Sequence, residues 1–297
     1  YGQIVARKGL YKMVEDHQSN KWLYLISIFA LFLVFLMTVF VLSTQTNQYE
    51  KEIQATLKSI PDDTINIAIF TDLHHDPAYE VDPIDDLGNV LSRLFSSGKI
   101  MALWNLGDVM NGHNSTKEQA TALLQDVVNM ERSATVNYHN IEGNHDNNIQ
   151  STWEGSGGLP ETEILSNDEL NVILENKDTE QVEFHSSLRA TDYYVDLDTI
   201  RIVCITGDYT TFQPGTADWL RAEALVTDKE ILILAHCPTR PEWGFCSDIQ
   251  NGDLIEEELK NFIDSSGTMI AYIYGHDHGD MIIARSEERR VGKECRS

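Results

Sequence analysis

Five short stretches of this 297-residue chain each end an apolar run in side chains able to ligate a metal. In "FTDLHHD" they are Asp72 and His74, in "NLGDV" Asp108, in "EGNHD" Asn144 and His145, in "LAHCP" His236, and in "YGHDH" His276 and His278. One such residue at a strand end is ordinarily structural or solvated, so the signal lies in the recurrence. Glycine precedes Asp108, Asn144 and His276, and without a Cβ it allows tight turns in which neighbouring side chains converge. Mixed Asp, His and Asn donors suit a borderline divalent ion such as Mn, Fe or Zn better than an all-oxygen calcium site. The donors are too many for one four-coordinate ion. Two ions about 3.5–4 Å apart, bridged by a shared carboxylate, would use them all.

Rigid strands must deliver these residues to one crevice. The runs 65–70, 99–108, 136–146, 230–238 and 268–278 read as strands, mostly continuous and apolar as in a buried sheet. Helical spacing falls between them, at 84–98, 115–133, 215–228 and 252–267. The segment 190–208 alternates through Asp-Leu-Asp-Thr, a β-hairpin signal. The pattern is one domain of α and β layers. Residues 147–187 read as irregular and acidic, either a lid over the site or a solvated excursion.

The ordered set D-x-H, G-D, G-N-H-D, a lone His and G-H-x-H, from about Asn66 to His278, resembles the calcineurin-like metallophosphoesterases. The resemblance implies an α+β, four-layer αββα fold with two packed mixed β-sheets flanked by helices. It also implies that Asp72, His74 and His278 hold one divalent ion and Asn144, His236 and His276 a second, with Asp108 bridging. His145 would face the substrate phosphate and leaving group, with Asp146 orienting it. A metal-bridging hydroxide would then attack a small phosphate mono- or diester. The alternative is a non-catalytic, metal-bound surface protein of the same fold, which an intact His145 argues against. "GDVMNGH" lacks the Tyr three residues after Asp108 that marks purple acid phosphatases. His75 and His113 stand beside the motif blocks, as solvated loop residues or as part of a substrate pocket.

The formal net charge of −25 argues against nucleic acid as a partner, since its backbone is bound by Lys and Arg. Four cysteines show no C-x-x-C spacing, so no zinc knuckle is indicated. Cys204 reads as a buried hydrophobe, and Cys237 could pair with Cys246 outside a cell.

Trp22 to Leu42 carries no charged residue, long enough to cross a hydrocarbon core of about 30 Å. Arg7, Lys8, Lys12 and Lys21 before it favour a cytoplasmic segment at 1–21. The expected organisation is therefore a signal-anchor helix at 22–42, a stalk at 43–62 and an extracytoplasmic domain at 63–284. Residues 285–297 read as a non-native, adapter-derived tail, which would leave the second sheet short of strands.

Overall fold

The computed structural model describes residues 50–77, 83–113, 115–174, 182–184, 192–208, 211–240 and 249–278. The chain divides into two compact units, Tyr1–Pro61 and Asp62–Ser297. Residues 50–59 of the first are helical, within the expected stalk. The expected membrane helix at 22–42, the segment before it, Cys246 and the tail at 285–297 lie outside the described residues. Among the described residues no helix is long and apolar enough to cross a membrane.

The second unit opens with β1 (Ile67–Phe70), α1 (Pro83–Ser96), β2 (Ala102–Asn105), α2 (Lys117–Ala134) and β3 (Tyr138–Asn140). A helix carries the chain back between successive strands, so all three pair in parallel, in the order β1-β2-β3. Thr116 starts α2 with a capping box, its hydroxyl accepting from the Gln119 N–H while the Gln119 side chain accepts from the Thr116 N–H.

Then follow α3 (Asn167–Leu174), β4 (Val182–Phe184), β5 (Tyr193–Leu197), β6 (Ile200–Ile205) and a two-stranded ribbon of β7 (Gly207–Asp208) and β8 (Thr211–Phe212). Helix α4 (Pro214–Trp219) runs into a π turn at Leu220–Ala224, before β9 (Glu230–Ala235), α5 (Gly252–Asp264) and β10 (Met269–Tyr274). The second sheet has the order β10-β9-β6-β5-β4. Its β10, β9 and β6 are parallel, whereas the expected hairpin makes β5 and β6 antiparallel. Two mixed sheets are expected; among the described residues the first is all parallel and the second is mixed.

Alternation along the strands builds the layers. Ala102 and Trp104 of β2 face inward onto Val195, Ile202, Cys204, Leu232 and Leu234 of the second sheet. Leu103 faces outward and packs with Leu91 of α1 and Val128 of α2. On the far side, Val203, Ile231 and Ile233 pack against Trp219, Ile255, Leu259 and Phe262 of α4 and α5. Two sheets thus lie face to face between two helical layers.

The stretch 147–187 is a correction to its irregular reading. Its described part contains three short 3₁₀ turns, α3 and the backbone of β4. Leu165, Leu170, Ile173 and Leu174 are buried with Leu123, Leu124 and Val127 of α2. Ser166 and Glu169 close a second capping box at the start of α3, a signal present in "SNDE".

A buried polar brace joins α2 to the tips of β2 and β3. Asn105 Nδ2 donates to Glu131 Oε1 at 2.9 Å and to Asn140 Oδ1 at 3.0 Å, while Asn105 Oδ1 accepts the Gly107 N–H at 2.9 Å. Glu131 has no exposed surface, and burial pushes its carboxyl up to about 8, aided by the charge of Asp146 and opposed by the two amides. Between its unfolded value near 4.5 and about 8 the folded protein keeps a proton that the unfolded chain has lost. Stability from this group is therefore lost as pH rises through that window. Glu131→Gln cannot lose the proton. Denaturation of both proteins at pH 5 and pH 8 should show the variant gaining on the wild type at the higher pH, by roughly 1–3 kcal/mol.

Candidate metal centre

Past their last regular residues the strands stay tied to one another. The N–H groups of Asp72, His74 and His75 donate to the carbonyls of Gly107, Asp108 and Val109 at 2.8–3.0 Å. On the second sheet the Gly275 N–H donates to the His236 carbonyl at 3.0 Å. The turns carrying four of the five sequence blocks therefore continue the ladders, and the Asn144–His145 turn is tied in through the carboxylates of Asp108 and Asp146.

Those turns are tight. Asp72, His74, Asp108, His276 and His278 all have left-handed backbone, with φ between 47° and 70°. A non-glycine residue reaches that region only at a cost, which recurs at functional sites. The neighbouring glycines serve close approach as well. A Cβ on Gly107 or Gly143 would overlap the other turn's backbone, and one on Gly275 would overlap Thr71.

Asp108 stands at the middle. Its Oδ1 accepts the His145 N–H at 2.7 Å, and its Oδ2 lies 3.2 Å from His236 Nε2, 3.8 Å from His145 Nε2 and 4.0 Å from His74 Nε2. On one side of it Asp72, His74 and His278 form a cluster, with His74 Nε2 3.0 Å from His278 Nε2 and His278 Nε2 3.4 Å from Asp72 Oδ1. On the other side Asn144 Oδ1 lies 3.0 Å from His236 Nε2 and 2.7 Å from His276 Nδ1. The structure thus brings together all seven residues expected as ligands.

The donor set fits cations. His236 Nδ1 donates to the Leu106 carbonyl at 2.9 Å, which aims Nε2 at two oxygens, of Asp108 and Asn144. A neutral imidazole in that tautomer would press its lone pair against theirs, unless a proton or a metal ion stands between. The Nε2 atoms of His74 and His278 face each other at 3.0 Å, a separation that either a shared proton or a metal ion can fill.

The charges follow from this crowding. Burial alone would raise the Asp108 carboxyl, but the adjacent His236, supported by His145, holds it well below the usual carboxylate range. Burial likewise works against protonating His236, yet Asp108 outweighs it and lifts the imidazole to about 9. His74 is lowered to about 4, chiefly by burial and further by His145 and His278. Burial and the nearby His236 also lower His276.

His145 is half-buried at the opening, its ring edge-on to His74 at 4.8 Å. The expected orienting contact from Asp146 is not made, and His145 Nδ1 instead donates to the Asn111 carbonyl at 2.6 Å. Asp146 is fully buried, and its carboxylate accepts from the N–H groups of Gly143, Asp108 and Val109 at 2.8–3.0 Å. Burial and the charge of Asp108 push it above the usual range, while the Gly143 N–H pulls it back.

His113 stands beside His145, ring centroids 5.4 Å apart, whereas His75 is buried with its Nε2 3.8 Å from Asp126 of α2. His139 stacks on Trp104 in the core. Sequence reasoning missed the carbonyl of Asn111, because a backbone acceptor has no residue signature. It also missed Gln150, which donates to the Asn144 carbonyl at 2.7 Å, and Cys237, a buried residue whose sulfur lies within 4.8 Å of nitrogens of His236 and His276.

Comparison with known proteins fits this geometry. No curated protein sequence matches the chain. Nine chains of solved structure match it. One, the crystal structure of a dimetal phosphatase from Danio rerio, superposes with a TM-score of 0.51 at 15% identity, over 72% of this chain and 82% of that one. At that identity the likeness is one of fold. The family model for calcineurin-like phosphoesterases matches residues 65–280. That span takes in every strand-end block from Asp72 to His278, and the chain belongs to the calcineurin-like phosphoesterase family of metal-dependent hydrolases.

Proposed function

We propose that the protein hydrolyses small phosphate mono- or diesters at a two-metal centre, from a single membrane anchor outside the cytoplasm. The observation that carries the catalytic part is Asp108, whose Oδ2 lies between the Asp72–His74–His278 cluster and the Asn144–His236–His276 cluster. In this reading each cluster holds one divalent ion, Mn, Fe or Zn, and Asp108 is shared. Such a pair supplies Lewis acidity, neutralising phosphate oxygens and lowering the pKa of a water.

The chain's own residues supply the rest. His145 is fixed through Nδ1 by the Asn111 carbonyl, which leaves Nε2 facing the centre. As the doubly protonated imidazolium, with Nδ1–H on the Asn111 carbonyl, its Nε2–H can donate to a phosphate oxygen and pass its proton to the leaving oxygen as the P–O bond breaks, which leaves a neutral ring. Asp146 acts by holding the 107–109 and 143–146 turns in register, at a distance from the proton transfer. The apolar run 22–42 and the basic residues before it support the anchor and its orientation.

Loaded with Mn, the protein should release p-nitrophenol from p-nitrophenyl phosphate or from its bis-ester. Absence of turnover with both ions bound would favour the non-catalytic reading. Asp108→Asn should lose both metal and activity, whereas His145→Ala should keep the metal and lose roughly 10²–10⁴-fold in kcat.

Metal uptake should also release protons. His236, lifted to about 9, carries a proton at pH 7 that must leave before Nε2 can ligate. Mn titrations by calorimetry in two buffers of different ionisation enthalpy should count about one proton for the ion at the Asn144–His236–His276 cluster, with affinity weakening as pH falls below that value. Extraction of cell membranes at alkaline pH tests the anchor: the full chain should stay in the pellet, and a chain lacking residues 22–42 should not.

A further inference from the structure

Two segments stand beside His145, and the proposed chemistry uses only one group of them, the Asn111 carbonyl. One is the turn Asn111–Gly112–His113, the other the run of 3₁₀ turns over 149–156. They are locked together. Ser151 Oγ donates to the Gly112 carbonyl at 2.6 Å, and His113 Nδ1 is paired with Ser156 Oγ at 2.8 Å. Gly112 has a φ of 69°, and a Cβ there would press on the His145 carbonyl, so this turn is fitted closely around His145. The His113 ring lies edge-on to that of His145, on a turn anchored by Ser156.

We propose that His113, backed by Ser156, is a substrate contact that hydrogen-bonds a hydroxyl group of the leaving alcohol, making polyhydroxy alcohol monophosphates the favoured substrate class. This rests on the phosphoesterase reading of the centre. His113 adjoins the residue assigned to the leaving oxygen, so a group bonded to that oxygen comes within its reach. Among the described residues it hydrogen-bonds through Nδ1, to Ser156, which leaves Nε2 for a ligand.

A hydroxyl is the group that suits this position. Ser156 can donate to Nδ1 or accept from it, so Nε2 can be either donor or acceptor, and a hydroxyl can meet both. A second phosphate could meet only the donor form. It would also enter a chain of net charge −25. Burial and the neighbouring His145 lower the His113 imidazole, which favours its neutral form, where both roles are open. The wall around it is polar as well, with Asn111 Nδ2 3.4 Å from Asp76 Oδ2.

The test compares glycerol 2-phosphate with p-nitrophenyl phosphate, whose leaving group has no hydroxyl beyond the scissile oxygen. Initial rates are measured on the Mn-loaded full chain as wild type, His113→Ala, His113→Gln and Ser156→Ala, with Mn content determined for each. The expected result is a KM for glycerol 2-phosphate raised about three- to tenfold by His113→Ala at nearly constant kcat. The effect of Ser156→Ala should be smaller, recovery by His113→Gln partial, and the KM for p-nitrophenyl phosphate within about twofold throughout. Equal losses on both esters, or no change on glycerol 2-phosphate, would overturn the proposal. If His113→Ala loses Mn, Ser156→Ala and His113→Gln decide by the same criterion. Should the wild type turn over neither of these monoesters nor bis(p-nitrophenyl) phosphate, the phosphoesterase reading fails by itself. Calorimetric affinity for glycerol 2-phosphate, undisturbed by turnover, then decides whether His113 binds the alcohol.

Discussion

One buried carboxylate holds the centre's geometry. Asp146 accepts the N–H of Gly143 in its own turn and those of Asp108 and Val109 in the turn after β2. Two chain segments far apart in sequence are thereby fixed to one group. Asp108 returns the tie through Oδ1, which accepts the His145 N–H. Its other oxygen is left facing the histidines, and so Asp108 can serve two clusters at once. Backbone donors suit this task, because N–H groups in a sheet-like turn have little rotational freedom of their own. The placement of Asp108, Asn144 and His145 thus follows from main-chain geometry more than from side-chain packing.

The glycines and the left-handed residues are two sides of that constraint. The turns after β2 and β3 approach so closely that any Cβ at Gly107 or Gly143 would overlap backbone. Such closeness is what lets one carboxylate reach three N–H groups. Asp72, His74, Asp108, His276 and His278 then adopt positive φ, because turning a side chain inward from a strand end takes a backbone most residues avoid. The ladders and the Asp146 bonds that flank these residues offset the strain.

Much of this was legible in the sequence because strand ends and ligand types coincide there. Asp72, Asp108, Asn144, His236 and His276 each follow an apolar run, and alternation along such a run decides which face its last residues take. The parallel order of β1, β2 and β3 also follows from the helices between them. The role of Asp146 was not legible, since a carboxylate beside a histidine looks the same whether it grips the ring or the main chain. Nor did composition separate His113 from His75. Both are histidines in polar loops, and only the bridge between His75 and Met110 turns His75 under the sheet. The acidic stretch after Asn147 misled because its charges are solvated while Leu165, Leu170 and Leu174 among them are buried.

The separation of the ligand residues along the chain has a thermodynamic meaning. His74 and His278 lie 204 positions apart, yet their Nε2 atoms stand 3.0 Å from each other. One comes from the edge of the first sheet, the other from the edge strand of the described second sheet. Closing so long a loop has an entropic cost that only the finished pairing of both sheets recovers. An ion-binding centre of this kind needs both sheets in place. Ion affinity therefore favours the completed protein over less ordered states of the same sequence.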